Sequence, residues 1–280
     1  MGESIDQSVF WNERAEAWAQ HADGMEDFAG QFGRPAIDLL DPSLGQHLAD
    51  VGCGPGTTTI ELGDRVGSGG SATGVDVSER MVVAARKRAA EAGARNVQFE
   101  VGNPGVEPIG SFDGIYSRFG VMFFDEPTVA FTNLCRSLRP GGRFVAVMWA
   151  ELDANPWMFV PTLFGAGPLR AELELPGPDE PGPFSLANPE QTVRLLESCG
   201  FHDVDVVRYE HTWQLDPQTI ASSISQMLSV GALGQAWAVA DEDARRAAVD
   251  AVAAGCEDYR DGEGWRLPAA AHVLSATAAR

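Results

Sequence analysis

The chain holds a single lysine, Lys87, and its 20 basic residues face 40 acidic ones, for a formal net charge of −20. Basic charge is what a nucleic-acid partner demands, because affinity for a phosphate backbone comes from neutralising it. The densest basic run, Arg86-Lys87-Arg88, lies in a helical pattern beside Glu79 and Glu91 and reads as a solvated helix face. No nucleic acid is therefore expected as a partner. Cysteine is also scarce. Cys53, Cys135, Cys199 and Cys256 are dispersed, form no CxxC pair and have no histidine at ligand spacing, which argues against a zinc site. Each reads as a small buried residue. Long apolar runs are missing as well, and nothing approaches the roughly 20 residues of a membrane span. The opening MGESIDQSVFW has neither a basic n-region nor an apolar core, so no secretory leader is expected, and Asp6 breaks the myristoylation pattern. These absences point to a reduced, cytoplasmic, soluble protein with no membrane partner.

What is present suits a globular domain: 44% hydrophobic and 21% charged residues are enough to build a core. The organising stretch is Leu48 to Leu62, LADVGCGPGTTTIEL. A short apolar run, three glycines at alternate positions (Gly52, Gly54, Gly56) and then a helical pattern spell the start of a βαβ unit. Further strands are expected at Ala72–Val75, Val97–Val101, Phe112–Tyr116 and Arg143–Trp149. Between them lie helices, one capped by Ser78 and ended by Gly93, another from Glu126 to Leu138. This alternation predicts a parallel, doubly wound α/β sheet. Two helices should precede it, Ser8–Gln20 and Pro35–Leu40, with the glycine-containing stretch 23–33 as a flexible break.

After Trp149 the pattern loosens. Residues 156–183, rich in proline and glycine, read as a loop with one helix near Trp157–Phe164. A helix from Asn188 to Cys199, a sixth strand at Val204–Leu215, two or three helices within 217–259 and a last strand at Ala271–Ala276 follow. The expected domains are an N-terminal helical cap (1–45), a ligand-binding core (46–150) and a C-terminal part (151–280) with lid insertions at about 155–185 and 216–262.

A glycine turn of this kind also serves dinucleotides, but the dinucleotide fingerprint would place its third glycine at position 57. That residue is Thr57. DVGCGPGTTT instead resembles the first motif of class I S-adenosylmethionine-dependent methyltransferases, and TGVDVSERM, GNP, FDGIYSRFGVMFF and LRPGGRFVAVMW resemble the segments that follow it in that family. The resemblance is of the ubiquinone/menaquinone-biosynthesis-like small-molecule type. It is strong over about Phe10 to Trp149 and weaker to Thr277.

The resemblance implies S-adenosyl-L-methionine as cofactor and a Rossmann-like seven-stranded sheet of order 3-2-1-4-5-7-6, the last strand antiparallel. It also implies cofactor contacts from Trp18, Asp50, Gly52, Gly54, Gly56, Thr57, Asp76, Val77, Met81, Asn103, Pro104, Ser117 and Phe119. Asp76 falls at the ribose position, where a carboxylate can accept from both hydroxyls. Asn103 stands where the family usually has Asp and keeps a carbonyl for the adenine amino group. The expected partner is a small molecule, and a homodimer remains open. Non-methylating S-adenosylmethionine binding, regulatory or cyclase-like, is the alternative, with a NAD(P)-dependent oxidoreductase behind it.

Methyl transfer needs positioning and a dry site, and a base only when the nucleophile arrives protonated. His21 and His211 are the candidate bases, while His47, His202 and His272 read as surface or structural. Arg118, at the carboxyl edge of the fourth strand, is a candidate anchor for an anionic substrate group, or else half of a structural ion pair. Trp157, Phe159, Phe164, Trp213 and Trp237 read either as aromatic walls for an apolar ligand or as ordinary cap packing.

Overall fold

The computed structural model describes residues 6–173, 177 and 180–279. In chain order the elements are α1 (Gln7–Leu40), β1 (His47–Val51), α2 (Thr57–Val66), β2 (Ser71–Asp76), α3 (Glu79–Ala92), β3 (Val97–Val101), β4 (Phe112–Arg118), α4 (Pro127–Arg136) and β5 (Leu138–Trp149). There follow α5 (Pro156–Ala166), α6 (Pro189–Ser198), β6 (Phe201–Leu215), α7 (Ile220–Val230), α8 (Gly234–Val239), α9 (Glu242–Gly255), β7 (Arg260–Asp261) and β8 (Gly264–Ala278).

Among the described residues the strands order as β3-β2-β1-β4-β5-β8-β6, with the short β7 paired to β8. β1 to β5 are parallel, and β8 runs antiparallel to β5 from Arg143↔Thr277 to Trp149↔Ala271. The expected order is thus observed; the two-residue β7 only shifts the number of the last strand. Central strands are short apolar runs because helices flank the sheet. Leu48, Ala49, Ile115, Phe144, Val145 and Ala146 are buried accordingly.

The chain divides into two compact units, one of residues 1–149, 177–209 and 271–280, the other of 150–176 and 210–270. The first carries β1 to β5 and the N-terminal helix. In the second, α5, α7 and α9 pack on one another. There the buried Asn155 bonds through Nδ2 to the carbonyls of Ala150, Glu151 and Ala270, and through Oδ1 to Trp157 Nε1 and the Ala270 amide. Trp157 and Trp213, both of this unit, lie with ring centroids 5.6 Å apart.

Several expectations need correction. The two N-terminal helices are one, α1, of 34 residues. Glycines in the supposed break are close-approach sites. A Cβ on Gly33 would stand 3.0 Å from Arg118 Nη1 and 3.2 Å from the Tyr116 hydroxyl, and one on Gly30 would stand 2.7 Å from Glu26 Oε1. Helix α1 therefore keeps glycine where it presses on β4, and the packing outweighs the propensity penalty of about 1 kcal/mol per glycine. α4 ends at Arg136, two residues short of the expected Leu138, which begins β5. β4 continues through Ser117 and Arg118, and β8 begins at Gly264. Cys135 is only half-buried, whereas Cys53, Cys199 and Cys256 are buried. The Pro176-Gly177-Pro178 part of the expected loop lies largely outside the described residues, as does the segment before Asp6.

Candidate active site

β1 ends at Val51, and the chain turns through Gly52, Gly54 and Gly56, all with left-handed φ (+70°, +52° and +85°). Two of these glycines serve packing. A Cβ on Gly52 would sit 2.9 Å from Gly120 Cα in the loop after β4, and one on Gly56 would sit 2.8 Å from Ala85 and Phe99. Around Gly54 the space is open. Thr57 is the first residue of α2, and the helix has no side-chain cap at its N-terminus.

Two carboxylates flank this turn. Asp50, 2% exposed, accepts a hydrogen bond from Thr59 Oγ1 at 2.7 Å. Burial raises its pKa to about 6, opposed by the Thr59 bond and the charge of Arg118 and reinforced by Asp76. Asp76, also buried, accepts from the amides of Gly54 and Ser78, each at 2.9 Å. Its pKa is raised by burial, with those amides opposing. Ser78 caps α3, and its hydroxyl donates to Asn12 Oδ1 of α1 at 2.8 Å. Met81 is buried, and its amide completes the Ser78 cap.

Beside Asp76 lies a cleft of about 310 Å³ lined by Val77, Gly102 and Asn103, by Asp125, by Asp6, which caps α1, and by Gln7 and Ser8 in its first turn. Asn103 Oδ1 accepts from the Gly105 amide at 2.8 Å, which leaves it one lone pair. Pro104 is buried with its carbonyl taken by Asn133 Nδ2. Gln7, which sequence reasoning missed, brings to the cleft wall a side chain whose Oε1 is buried without a hydrogen-bond partner. Polarity alone could not single it out.

Beyond β4, Ser117 Oγ donates to the Val51 carbonyl at 2.7 Å and so stitches β4 to β1. The Arg118 guanidinium forks onto both oxygens of Glu26 in α1, at 2.8 and 2.6 Å. Two of its five N–H donors thus form an ion pair with Glu26. Phe119 follows with φ +60°, a strained value for a bulky residue. Its ring stacks on Trp149 at 3.8 Å with an 8° interplanar angle, and Phe32 meets both edge-on. These rings form an apolar wall at the carboxyl ends of β4 and β5.

Trp18 lies on α1, its ring 6.1 Å from that of Trp11, which packs on Phe123 at 4.9 Å. His21 is half-buried on α1. His211 belongs to the second unit, on β6, so the two candidate bases come from different units. His47 is exposed and bonds Ser71, His202 is exposed beside Asp203, and His272 is buried in β8.

A cleft walled by carboxylates, with Arg118 committed to Glu26, is matched to a cationic ligand and mismatched to a pyrophosphate. The comparisons agree. A family model described as a methyltransferase domain matches residues 48–142. Aklanonic acid methyltransferase DauC of Streptomyces sp. (strain C5) is 32% identical over 185 residues, covering 62% of this chain and 83% of the relative. Nocamycin O-methyltransferase of Saccharothrix syringae is 40% identical over 129 residues, 43% of this chain and 45% of that one. The YcgJ protein of Bacillus subtilis superposes with a TM-score of 0.56 at 18% identity, over 87% of this chain and 96% of its own. Phosphoethanolamine N-methyltransferase 2 of Haemonchus contortus, solved with S-adenosyl-L-methionine, gives 0.51 at 18% identity, over 85% of this chain and 50% of that one. At such identities the two structures speak to the fold, and the closer sequence relatives speak to the family. This chain belongs to the class I S-adenosylmethionine-dependent methyltransferases.

Proposed function

We propose that the chain methylates a small, hydrophobic or aromatic metabolite, with S-adenosylmethionine as donor. The observation that carries the cofactor side is the pair of buried carboxylates, Asp50 and Asp76, flanking the glycine turn. Their raised pKa values mean that the protein holds negative charge there at a cost, which a cation would offset. The donor supplies a methyl group made electrophilic by a sulfonium charge. Asp76 would accept from the ribose hydroxyls, exchanging its Gly54 bond for them. Gln7 Oε1 and the remaining lone pair of Asn103 would accept from the adenine amino group across the cleft. Asp50 would balance the positive charge from behind the turn.

The wall of Phe119, Trp149 and Phe32 supports an apolar acceptor and keeps water from the nucleophile. One relative is named for aklanonic acid and another as an O-methyltransferase, which favours an oxygen nucleophile. For a hydroxyl acceptor His21 is our candidate base, on α1 one turn beyond Trp18; His211 is the candidate from the second unit. Arg118 we assign to structure. We place the reaction in the cytoplasm.

Titration calorimetry with S-adenosylmethionine and S-adenosylhomocysteine tests the reading. Both should bind, and Asp76→Ala should weaken each by about 1–3 kcal/mol, the worth of hydrogen bonds to a charged group. Absence of heat with either ligand on the unmodified protein would sink it.

A further inference from the structure

The first unit has a second cavity, of about 380 Å³, away from the glycine turn and the aromatic wall. It opens where β5 starts at Leu138 and the antiparallel β8 ends at Ala278, which is the amino edge of the parallel sheet. Two of the four cysteines line it, Cys135 in the last turn of α4 and Cys199 at the C-cap of α6. Neither belongs to the cofactor cleft.

Helix α4 brings the two thiols to one place. Thr128, Thr132 and Cys135, at i, i+4 and i+7, share one face of that helix. Cys199 Sγ donates to the Thr128 carbonyl at 3.4 Å, and a Cβ on the next residue, Gly200, would stand 3.5 Å from Cys135 Sγ. Residues 199 and 200 therefore lie along that face, and Gly200 has no side chain to separate the two sulfurs. Their exposure differs. Cys199 is 6% exposed, whereas Cys135 is half-buried beside the cavity. Burial holds the Cys135 thiol above its ordinary pKa, with the Ala279 amide opposing, Cys199 reinforcing and Arg136 opposing. Little of it ionises at neutral pH, but the thiolate that forms is a strong nucleophile.

We propose that Cys135 and Cys199 are a redox pair, in which Cys135 attacks a small disulfide admitted by the cavity and Cys199 resolves the product to an intramolecular disulfide. The Cys135 thiolate bonds to one sulfur of the oxidant, and the other sulfur leaves as a thiolate that takes up the proton Cys135 lost. Cys199 then loses its own proton and turns from the Thr128 carbonyl to Cys135. Its bond to the Cys135 sulfur expels the first half of the oxidant as a second thiol. Two electrons and two protons thus pass from the pair to the oxidant. Arg136, on the cavity wall, supplies a cation for a carboxylate-bearing disulfide such as oxidised glutathione. The new bond joins α4 to the turn that leads into β6.

The reduced full chain, treated with excess oxidised glutathione at pH 8, unfolded and alkylated with iodoacetamide, tests the pair by peptide mass mapping. Two thiols should be lost, with Cys135 and Cys199 in one linked peptide that dithiothreitol separates. Cys53 and Cys256, both buried and outside the cavity, should be alkylated in full. Cys199→Ser, which keeps a donor for the Thr128 carbonyl, should stop with glutathione on Cys135. Cys135→Ser should leave Cys199 free. Four free thiols in the treated parent overturn the pair, as does a linkage through Cys53 or Cys256. Glutathione retained on Cys135 of the parent beside a free Cys199 overturns it too, as does Cys199 reacting as fast in Cys135→Ser as in the parent. The mapping of the parent decides the matter alone if a serine variant does not fold.

Discussion

Replacing Arg118 with methionine should lower the unfolding free energy of the ligand-free protein by about 3 kcal/mol. The side chain joins the end of β4 to α1 by two hydrogen bonds to Glu26, with 16% of the arginine side chain and 31% of the glutamate side chain exposed. Removing the arginine leaves a partly buried carboxylate without its counter-charge, and that loss exceeds the net worth of the intact pair. The double variant Glu26→Leu/Arg118→Met should recover much of the loss, because two apolar side chains then meet in the same space. The pH dependence has a definite sign. Burial alone would raise the pKa of Glu26, but the hydrogen bonds and charge of Arg118 hold it below its ordinary 4.5. The stabilisation is therefore complete above about 4.5 and fades as pH falls through the depressed value. Urea unfolding at pH 7 and pH 3 checks both points. A single variant as stable as the parent, but slower in turnover, would restore Arg118 to the role of substrate anchor.

This ion pair also shows where sequence reading stops. Glu26 and Arg118 are 92 positions apart, and nothing local to either announces the other. By contrast, the strands and helices from β1 to β5 were legible because their signals are local. Val97–Val101 is a five-residue apolar-containing run that became β3 unchanged, and Ser78 and Gly93 cap α3 by chemistry written within a few residues of each end. The glycine turn and Asp76 were legible for the same reason, since strand, turn and acid lie on one short stretch. Helix α1 was misread because glycine has two uses. Its conformational freedom suggests a break, but Gly30 and Gly33 face close neighbours, and only those neighbours distinguish a contact from a hinge. Gln7 was missed because a polar residue near the start of a helix is ordinary. What marks it is a buried atom without a partner, a property of packing. Phe119 was placed at the right edge, but its strained backbone and its stack on Trp149 appear only when β4 and β5 are paired.

Asp50→Asn should make the ligand-free protein more stable at pH 8 while weakening its hold on the cofactor. Burial raises the Asp50 pKa from 3.8 to about 6, so between those values the folded protein binds more protons than the unfolded chain. Stability contributed by this residue therefore falls as pH rises from about 4 to 6 and stays low above that. The full rise corresponds to about 3 kcal/mol at most. Asparagine keeps an acceptor for Thr59 and removes the buried charge, so a gain of about 1–3 kcal/mol is expected at pH 8, shrinking to nothing below pH 4. If, as proposed, the same charge balances the sulfonium from behind the glycine turn, S-adenosylmethionine should bind the variant tenfold or more weakly. In the parent, affinity should rise as pH increases through about 6, because only ionised Asp50 attracts the cation. The two substitutions are coupled, since the charge of Arg118 lowers the Asp50 pKa; in Arg118→Met the rise in affinity should shift to higher pH. Thermal unfolding and titration calorimetry between pH 5 and 8 measure all of this. A variant less stable than the parent at pH 8, or one whose cofactor affinity is unchanged, would show that Asp50 is held for its hydrogen bond to Thr59 and not for its charge.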